Sequence, residues 1–180
     1  MTKTEIKFTY QDYLQMPEDK RCELIEGEFH MVPSPMTYHQ RVSRSLELLL
    51  WEFVRRNNLG EVFYAPYDVV LSDENVVQPD ILFISRERSH IITEKNVQGA
   101  PDLVIEITSK ASERWDREIK RKLYAKFGVE EYWIVDPDKK TVDVMTSGKS
   151  GFEVAKSYRA KDTLTSPLLK GLSIDLSEVF

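Results

Sequence analysis

Cysteine is nearly absent from this sequence, in which Cys22 is the only one. A single cysteine excludes an internal disulfide and any metal site built from several cysteines, and it suits a reducing compartment. No apolar run approaches the roughly 18 to 20 residues that a membrane-spanning helix needs. The first residues, Met1 to Lys7, lack the apolar segment of a signal peptide. Together these absences predict a cytoplasmic protein.

An excess of basic residues is missing as well. The chain has 25 Lys and Arg against 30 Asp and Glu, which gives a formal net charge of -5. Because phosphate backbones attract basic surfaces, this balance argues against nucleic-acid binding unless a local basic strip supplies the contact. The candidates for such a strip are Arg41, Arg44, Arg55, Arg56, Arg117, Arg121 and Lys122.

What the sequence does contain is typical of an α/β protein. A chain of 180 residues, 41% of them hydrophobic and 31% charged, has the length of one domain, which we expect to span residues 1–180. Apolar residues at helical spacing predict helices over residues 38–57 and 112–127. A hairpin is predicted over residues 22–32, with Gly27 supplying a positive φ at its turn. Apolar runs predict strands over residues 62–71, 80–85, 103–108 and 131–136.

Two Pro-Asp pairs, at residues 79–80 and 101–102, each precede an apolar strand. The second strand carries Glu106 in its middle, while Ile105 and Ile107 project to the opposite face. A lone carboxylate within an apolar strand is costly to bury unless it is paired, hydrogen-bonded or bound to a cation. If Asp80 lies at the edge of a neighbouring strand, the two carboxylates suit Mg²⁺, with waters and a substrate phosphate as its other ligands.

The sequence contains, in this order, CELIEGEFHMVPSP, VVQPDILFIS, GAPDLVIEITS and DREIKRKLYAKFGVEEYWIVDP. In order and spacing these segments resemble the Uma2 family of the PD-(D/E)XK, restriction-endonuclease-like superfamily. The resemblance implies a central mixed β-sheet flanked by helices, and a Mg²⁺-dependent site, open to Mn²⁺ as a substitute, that cleaves DNA. In the family pattern Asp80 and Glu106 match the metal-binding acidic residues. Glu23 matches an additional glutamate, which implies an auxiliary ligand or a group that positions water.

One position departs from the family pattern. The superfamily lysine stands two residues after the acidic residue of the strand, where this chain has Thr108. The resemblance implies that Lys120, in the following helix, has taken over as the catalytic charge that orients water and stabilises the transition state. Helical spacing allows this, because Lys120 borders the apolar stripe formed by Trp115, Ile119 and Leu123.

Each of these residues also has a structural interpretation. Asp80 and Asp102 both stand where aspartate favours turns, and we expect Asp102 to be structural. Lys120 with Asp116 forms an i,i+4 pair that is typical of a solvated helix face. Glu23, beside two further glutamates of the hairpin, fits an exposed edge equally well.

His39, in the first turn of the long helix, is interpreted as a histidine with satisfied hydrogen bonds and not as a catalytic base. Its neighbour Gln40 and the more distant Gln78 are candidates to assist at a site.

Functions from different classes remain open. The leading hypothesis is a Mg²⁺-dependent endonuclease that hydrolyses DNA as a homodimer, because cutting both strands of a duplex commonly takes two sites. The alternative is a catalytically inactive protein that uses the nuclease fold to bind nucleic acid or another protein. A third is a hydrolase of some other phosphate-containing substrate. The metal hypothesis requires the carboxylate oxygens of Asp80 and Glu106 to lie within about 5 Å of each other.

Overall fold

Six strands pair into a central mixed sheet, and five shorter strands form a second sheet. The computed structural model describes residues 6–17 and 20–180, so residues 1–5, part of the segment used to exclude a signal peptide, lie outside the described residues. The helices are α1 (Tyr10–Tyr13), α2 (Thr37–Arg56) and α3 (Arg121–Phe127). The strands are β1 (Cys22–Ile25), β2 (Glu28–Met31), β3 (Gly60–Tyr64), β4 (Val69–Ser72), β5 (Asn75–Val77), β6 (Ile81–Ser85), β7 (Val97–Gln98), β8 (Leu103–Ile107), β9 (Glu131–Asp136), β10 (Thr141–Gly148), β11 (Gly151–Arg159), β12 (Thr163–Leu164) and β13 (Ile174–Asp175).

The central sheet has the strand order β11-β10-β9-β8-β6-β3. Its strands β8 and β9 are parallel, and its other neighbours are antiparallel. Every residue of β8 and of β9 is buried, as expected for strands covered on both faces. The second sheet has the order β2-β1-β5-β4-β7, and β12 pairs with β13. This mixed α/β architecture, with helices flanking the sheets, confirms the predicted fold class.

Helices cover both faces of the central sheet. On one face, α2 contributes four buried residues at helical spacing, which are Val42, Leu46, Leu50 and Val54. On the other face, Leu123 and Tyr124 of α3 pack in one cluster with Val104 of β8. Glu106 follows Val104 by two positions, so the alternation of side chains directs it towards α3. The acidic residue of this strand therefore projects beneath α3, which directly follows Lys120 in the chain.

The longest helix agrees closely with its prediction, since α2 spans Thr37–Arg56 where residues 38–57 were expected. The predicted hairpin also forms, and its turn has a positive φ at both Glu26 (52°) and Gly27 (80°). Neither α2 nor any other helix within residues 6–17 and 20–180 is long and apolar enough to cross a membrane.

The strand predicted over residues 62–71 is wrong as a single element. The chain forms β3 and β4 instead, and these belong to different sheets. Pro66 lies between them and has no N–H for a ladder hydrogen bond, so the chain leaves the central sheet after Tyr64.

The second long helix is more irregular than predicted. In place of one α-helix over residues 112–127, the chain forms a π-helix at Trp115–Lys120, and α3 follows it directly. Gly128 ends α3 with a φ of 86°, as its predicted role as a C-terminal stop requires. π-Helical turns are rare and are often found at functional sites.

Candidate active site

Asp80 and Glu106 lie opposite each other at one edge of the central sheet. The antiparallel register pairs Ile81 with Ile105. In an antiparallel pair, the residue before Ile81 is opposite the residue after Ile105. Asp80, just before β6, is therefore opposite Glu106 of β8. The charge of Asp80 acts on both Glu106 and Asp116, so the three carboxylates lie near one another. The register thus brings together the two carboxylates that the sequence singled out, and their role as metal ligands stays a prediction.

Lys120 is the centre of a buried charge cluster. Its Nζ lies 2.9 Å from Glu23 Oε1, 3.0 Å from Glu106 Oε1 and 3.9 Å from Asp116 Oδ1. Only 6% of Lys120 and 3% of Glu106 is exposed. The Tyr124 hydroxyl donates to Glu106 Oε1 at 2.6 Å, so one carboxylate oxygen accepts from two donors. Lys120 therefore lies inside the protein, and not at the border of the buried face.

The π-helix carries two residues of the cluster, Asp116 and Lys120. These two residues and Tyr124 recur every four positions, and all three are buried. The π-helical turn ends at Lys120, and α3 carries the same row on to Tyr124. The interpretation of Asp116 and Lys120 as an ion pair on a solvated helix face is therefore wrong.

One ammonium faces three carboxylates in this cluster, and the charges shift one another. Burial raises the pKa of Glu106 well above its ordinary value; Lys120 opposes this shift, while Asp116, Asp80 and Glu23 add to it. Burial likewise raises the pKa of Asp116 to about 6. Burial would lower the pKa of Lys120, but the surrounding carboxylates raise it well above its ordinary value. The cluster therefore has an excess of acidic groups, which an additional cation would stabilise.

His39, at the start of α2, belongs to the site although the sequence analysis gave it a structural role. Its Nε2 lies 3.3 Å from Asp80 Oδ2, which also accepts the backbone N–H of Ile107 at 2.7 Å. Burial lowers the pKa of His39, but Asp80, the Ile107 backbone and the charge of Asp116 together raise it above its ordinary value. Within the described residues, His39 Nδ1 is buried without a hydrogen-bond partner, so the prediction of satisfied hydrogen bonds is wrong for this nitrogen. The available signal was a histidine on the face of α2 shared with Val42 and Leu46.

Glu23 reaches the site from the second sheet. All four residues of β1 are buried, so the interpretation of Glu23 as an exposed hairpin residue is wrong. Its Oε1 accepts the backbone N–H of Gln78 at 2.8 Å. The Gln78 amide in turn donates to Asp68 Oδ1 at 2.8 Å and to the Tyr13 hydroxyl at 3.2 Å. Because Gln78 precedes Asp80 by two residues, these bonds hold Glu23 against the segment that leads to Asp80.

Thr108 and Asp102 have structural contacts. Thr108, at the position of the family lysine, donates its backbone N–H and its hydroxyl to the Val135 carbonyl oxygen, at 2.8 and 3.2 Å. Asp102 is buried and accepts from the Ser85 backbone N–H at 2.7 Å and from Arg88 Nη1 at 3.2 Å. These bonds fasten the start of β8 to the end of β6, which confirms the structural role predicted for Asp102.

The oxygen atoms that remain available in the cluster indicate which metal ion could bind there. Within residues 6–17 and 20–180, no group of three or more His, Cys, Asp and Glu side chains is arranged to hold a metal ion. Asp80 Oδ1 and Glu106 Oε2 accept no hydrogen bond from this part of the chain, whereas the second oxygen of each carboxylate does. Carboxylate oxygens of this kind are the donors that Mg²⁺ takes, because it binds one or two carboxylates and completes its octahedron with water.

Comparison with known proteins identifies the family. The model of the Uma2 family, described as "Putative restriction endonuclease", matches residues 10–177. The chain belongs to the Uma2 family. This confirms the resemblance seen in the sequence motifs. No curated protein matches the chain.

A solved structure has the same fold as this Uma2 protein. It is described as "a putative nuclease belonging to DUF820" from Anabaena variabilis ATCC 29413. The two structures superpose with a TM-score of 0.79, over 96% of this chain and 97% of that chain. At 21% sequence identity, the likeness establishes the shared fold.

Proposed function

We propose that this Uma2 protein is a Mg²⁺-dependent endonuclease that hydrolyses phosphodiester bonds of DNA, with Mn²⁺ able to replace Mg²⁺. The observation that carries the proposal is the buried cluster in which Lys120 Nζ lies 3.0 Å from Glu106, on the strand position opposite Asp80. Buried charges of this kind are a poor device for stability alone, because desolvation offsets much of their attraction. Membership of the Uma2 family and the description of the solved neighbour as a nuclease support the same class of reaction.

Asp80 and Glu106 are the residues that would hold the ion. A bound Mg²⁺ would stabilise negative charge on the phosphate and lower the pKa of a coordinated water. Asp80 is held by the Ile107 N–H and by His39, while Glu106 is held by Lys120 and Tyr124. Both carboxylates are therefore fixed by donors of the protein itself, which is the pre-organisation that a binding site needs.

Lys120 supplies the fixed positive charge of the proposed site. Its ammonium is held between Glu23 and Glu106, so its position does not depend on a flexible side chain in solvent. A fixed cation beside the phosphate orients the attacking water and stabilises the charge that develops in the transition state. Glu23 serves this arrangement by fixing the ammonium, and it is the candidate for an auxiliary ligand or a group that positions water.

Cleavage of plasmid DNA and of labelled single- and double-stranded oligonucleotides tests the proposal. We expect cleavage in Mg²⁺ or Mn²⁺, no cleavage in EDTA, and loss of activity in Asp80→Asn and Glu106→Gln. The matched control is Asp138→Asn, which neutralises an exposed acid in the turn between β9 and β10. Undiminished cleavage by both site variants would reject the proposed metal ligands.

One observation favours a second candidate, a catalytically inactive protein that uses the fold to bind nucleic acid or another protein. The Thr108 hydroxyl is bonded to Val135, and the Lys120 ammonium is already shared among carboxylates. A wild-type protein that binds DNA in EDTA, and cuts no DNA in Mg²⁺ or Mn²⁺, would identify this second function.

A further inference from the structure

Two of the seven basic residues predicted to contact DNA, Arg117 and Arg121, are engaged within the fold. Arg117 donates to Asp143 Oδ2 at 2.9 Å and lies 3.3 Å from Glu113 Oε1. Arg121 donates to the carbonyl oxygen of Phe152. The predicted strip is therefore not a continuous surface of available cations.

A second group of basic residues lines a shallow depression of about 600 Å³. Lys139 in this lining is already neutralised, because its Nζ lies 2.8 Å from both Asp136 and Glu113. Lys140, Arg159 and Lys161 are exposed, and in the described part of the chain their charged groups form no ion pair. The full lining is Lys139, Lys140, Thr141, Arg159, Ala160, Lys161 and Asp162.

This depression, the Lys140 depression, lies at the same edge of the central sheet as the candidate active site. The parallel strands β8 and β9 end together, where Ile107 pairs with Val135. β10 begins at this edge, because Thr141 pairs with Asp136, and β11 ends there, because Arg159 pairs with Thr141. Neighbouring strands are about 4.8 Å apart, so the depression lies about 10 to 14 Å along the edge from the end of β8.

We infer that the Lys140 depression is a contact surface for the sugar-phosphate backbone of the DNA that reaches Asp80 and Glu106. The inference rests on the proposed function. Duplex DNA has one charge per about 1.7 Å of its axis, so about 14 Å of duplex presents about eight phosphate charges. One bound duplex is therefore long enough to contact the active site and the depression together.

The electrostatics of the depression suit a phosphate backbone. Lys140, Arg159 and Lys161 supply three cations, and contacts of this type attract DNA of any sequence through release of its counterions. The acid of the lining, Asp162, accepts the backbone N–H of Arg159 at 2.7 Å and keeps its negative charge, but the basic residues of the lining outnumber it. In a chain with a net charge of -5, this local excess of positive charge gives the duplex a place to bind.

Fluorescence anisotropy of a labelled DNA duplex, measured in EDTA, tests the inference through the variant Lys140→Glu/Lys161→Glu. We expect its affinity to fall on the order of tenfold or more, and the slope of log affinity against log salt to decrease by about 1.8, which is 0.9 per phosphate contact. The matched control is Lys126→Glu/Lys149→Glu. Lys149 lies in the turn between β10 and β11, at the opposite edge of the sheet, and Lys126 lies in the last turn of α3. The control should bind like the wild type.

Equal affinities of the two charge-reversed variants would overturn the inference, and so would a wild type that binds no DNA. A polyglutamate peptide that binds more tightly than the duplex would also overturn it, since the partner would then be an acidic protein. These measurements require neither Mg²⁺ nor cleavage. If the wild type cuts DNA and Lys140→Glu/Lys161→Glu binds it normally, the inference fails alone. If binding depends on the depression in a protein that cuts nothing, the endonuclease proposal fails alone.

Discussion

His39 Nε2 lies 3.3 Å from Asp80 Oδ2, the oxygen that also accepts the Ile107 backbone N–H. Groups from α2 and from the end of β8 therefore fix one oxygen of this carboxylate, and the other oxygen accepts no hydrogen bond from the described residues. In metal sites, partners that orient a ligand in this way change affinity or activity when they are removed. His39 is accordingly a positioning residue of the proposed site.

The first prediction concerns His39→Ala. Removing the imidazole frees Asp80 to rotate, so we expect the affinity for Mn²⁺ to fall by about 10- to 100-fold. His39→Asn, which keeps a donor, should retain part of the affinity. Titration of Mn²⁺ followed by electron paramagnetic resonance measures both values, with His90→Ala, an exposed histidine, as the control. Unchanged Mn²⁺ affinity in His39→Ala would show that the imidazole only packs against Asp80.

The second prediction concerns Lys120→Met. The change leaves Glu23 and Glu106 buried without their cation, so the free energy of unfolding should fall by about 3 to 5 kcal/mol. Cleavage should be lost as well, because the charge that stabilises the transition state is gone. Urea unfolding and the cleavage assay measure the two effects separately.

The variant Glu23→Gln/Lys120→Met separates stability from catalysis. It removes one carboxylate together with the ammonium, so part of the lost stability should return while cleavage stays absent. Recovery of cleavage along with stability would instead mean that Lys120 contributes to the fold alone.

The third prediction places a lysine back on the strand. Thr108→Lys in the Lys120→Met background should recover part of the cleavage activity, because alternation sets position 108 on the same face as Glu106. Thr108→Val in the same background is the control, since it also loses the hydroxyl contact with Val135 but adds no charge. The measurement compares the cleavage rates of the two double variants, and we expect the variant with lysine at position 108 to be faster. Equal rates would exclude a role for a strand lysine.

The fourth prediction concerns assembly. Because a duplex has two strands to cut and soluble homo-oligomers are mostly two-fold dimers, we expect the protein to form a homodimer. Light scattering coupled to size-exclusion chromatography should give twice the 21.0 kDa mass of one chain. The mass of a single chain at micromolar concentration would count against a dimer.

The fifth prediction concerns pH and lies outside the site. Glu131 accepts hydrogen bonds from Trp133, Ser166 and the Leu168 backbone N–H, yet burial raises its pKa above the ordinary value of 4.5. The folded protein therefore holds this proton more tightly than the unfolded chain does. The stability that Glu131 contributes is fully present below pH 4.5 and is lost as the pH rises through the raised pKa.

Urea unfolding across this pH range should thus show a smaller loss of stability in Glu131→Gln than in the wild type. The comparison uses the slope of the unfolding free energy with pH, because the substitution also changes the hydrogen bonds to Glu131. Parallel pH dependences would show that Glu131 titrates normally in the folded protein.

The features that the sequence revealed were local ones. An acid in the middle of an apolar strand marked Glu106, and helical spacing marked α2, because both signals lie within a few residues of the chain. Pro66 was a local signal too, and it divides the region that had been predicted as one strand. The π-helix at Trp115–Lys120 has no such signal, because apolar residues spaced by four also fit an ordinary α-helix.

The rest of the site depends on contacts between distant segments. Two more glutamates near Glu23 in the sequence favoured an exposed position. Its burial follows from the packing of β1 in the second sheet. The partnership of His39 with Asp80 likewise depends on where α2 begins relative to the end of β8. No periodicity in the sequence predicts a contact between two such distant segments.

The contact between Glu23 and Lys120 has a consequence for the way the molecule is made. Glu23 lies in the first strand of the chain and the second sheet, whereas Lys120 lies on a helix that is synthesised much later and covers the central sheet. Any chain that stops before the π-helix at Trp115–Lys120 has Glu23, Asp80 and Glu106 but lacks the ammonium that joins two of them. An unfinished protein therefore has its acids without its cation, and the proposed activity belongs only to a chain whose two sheets have already docked.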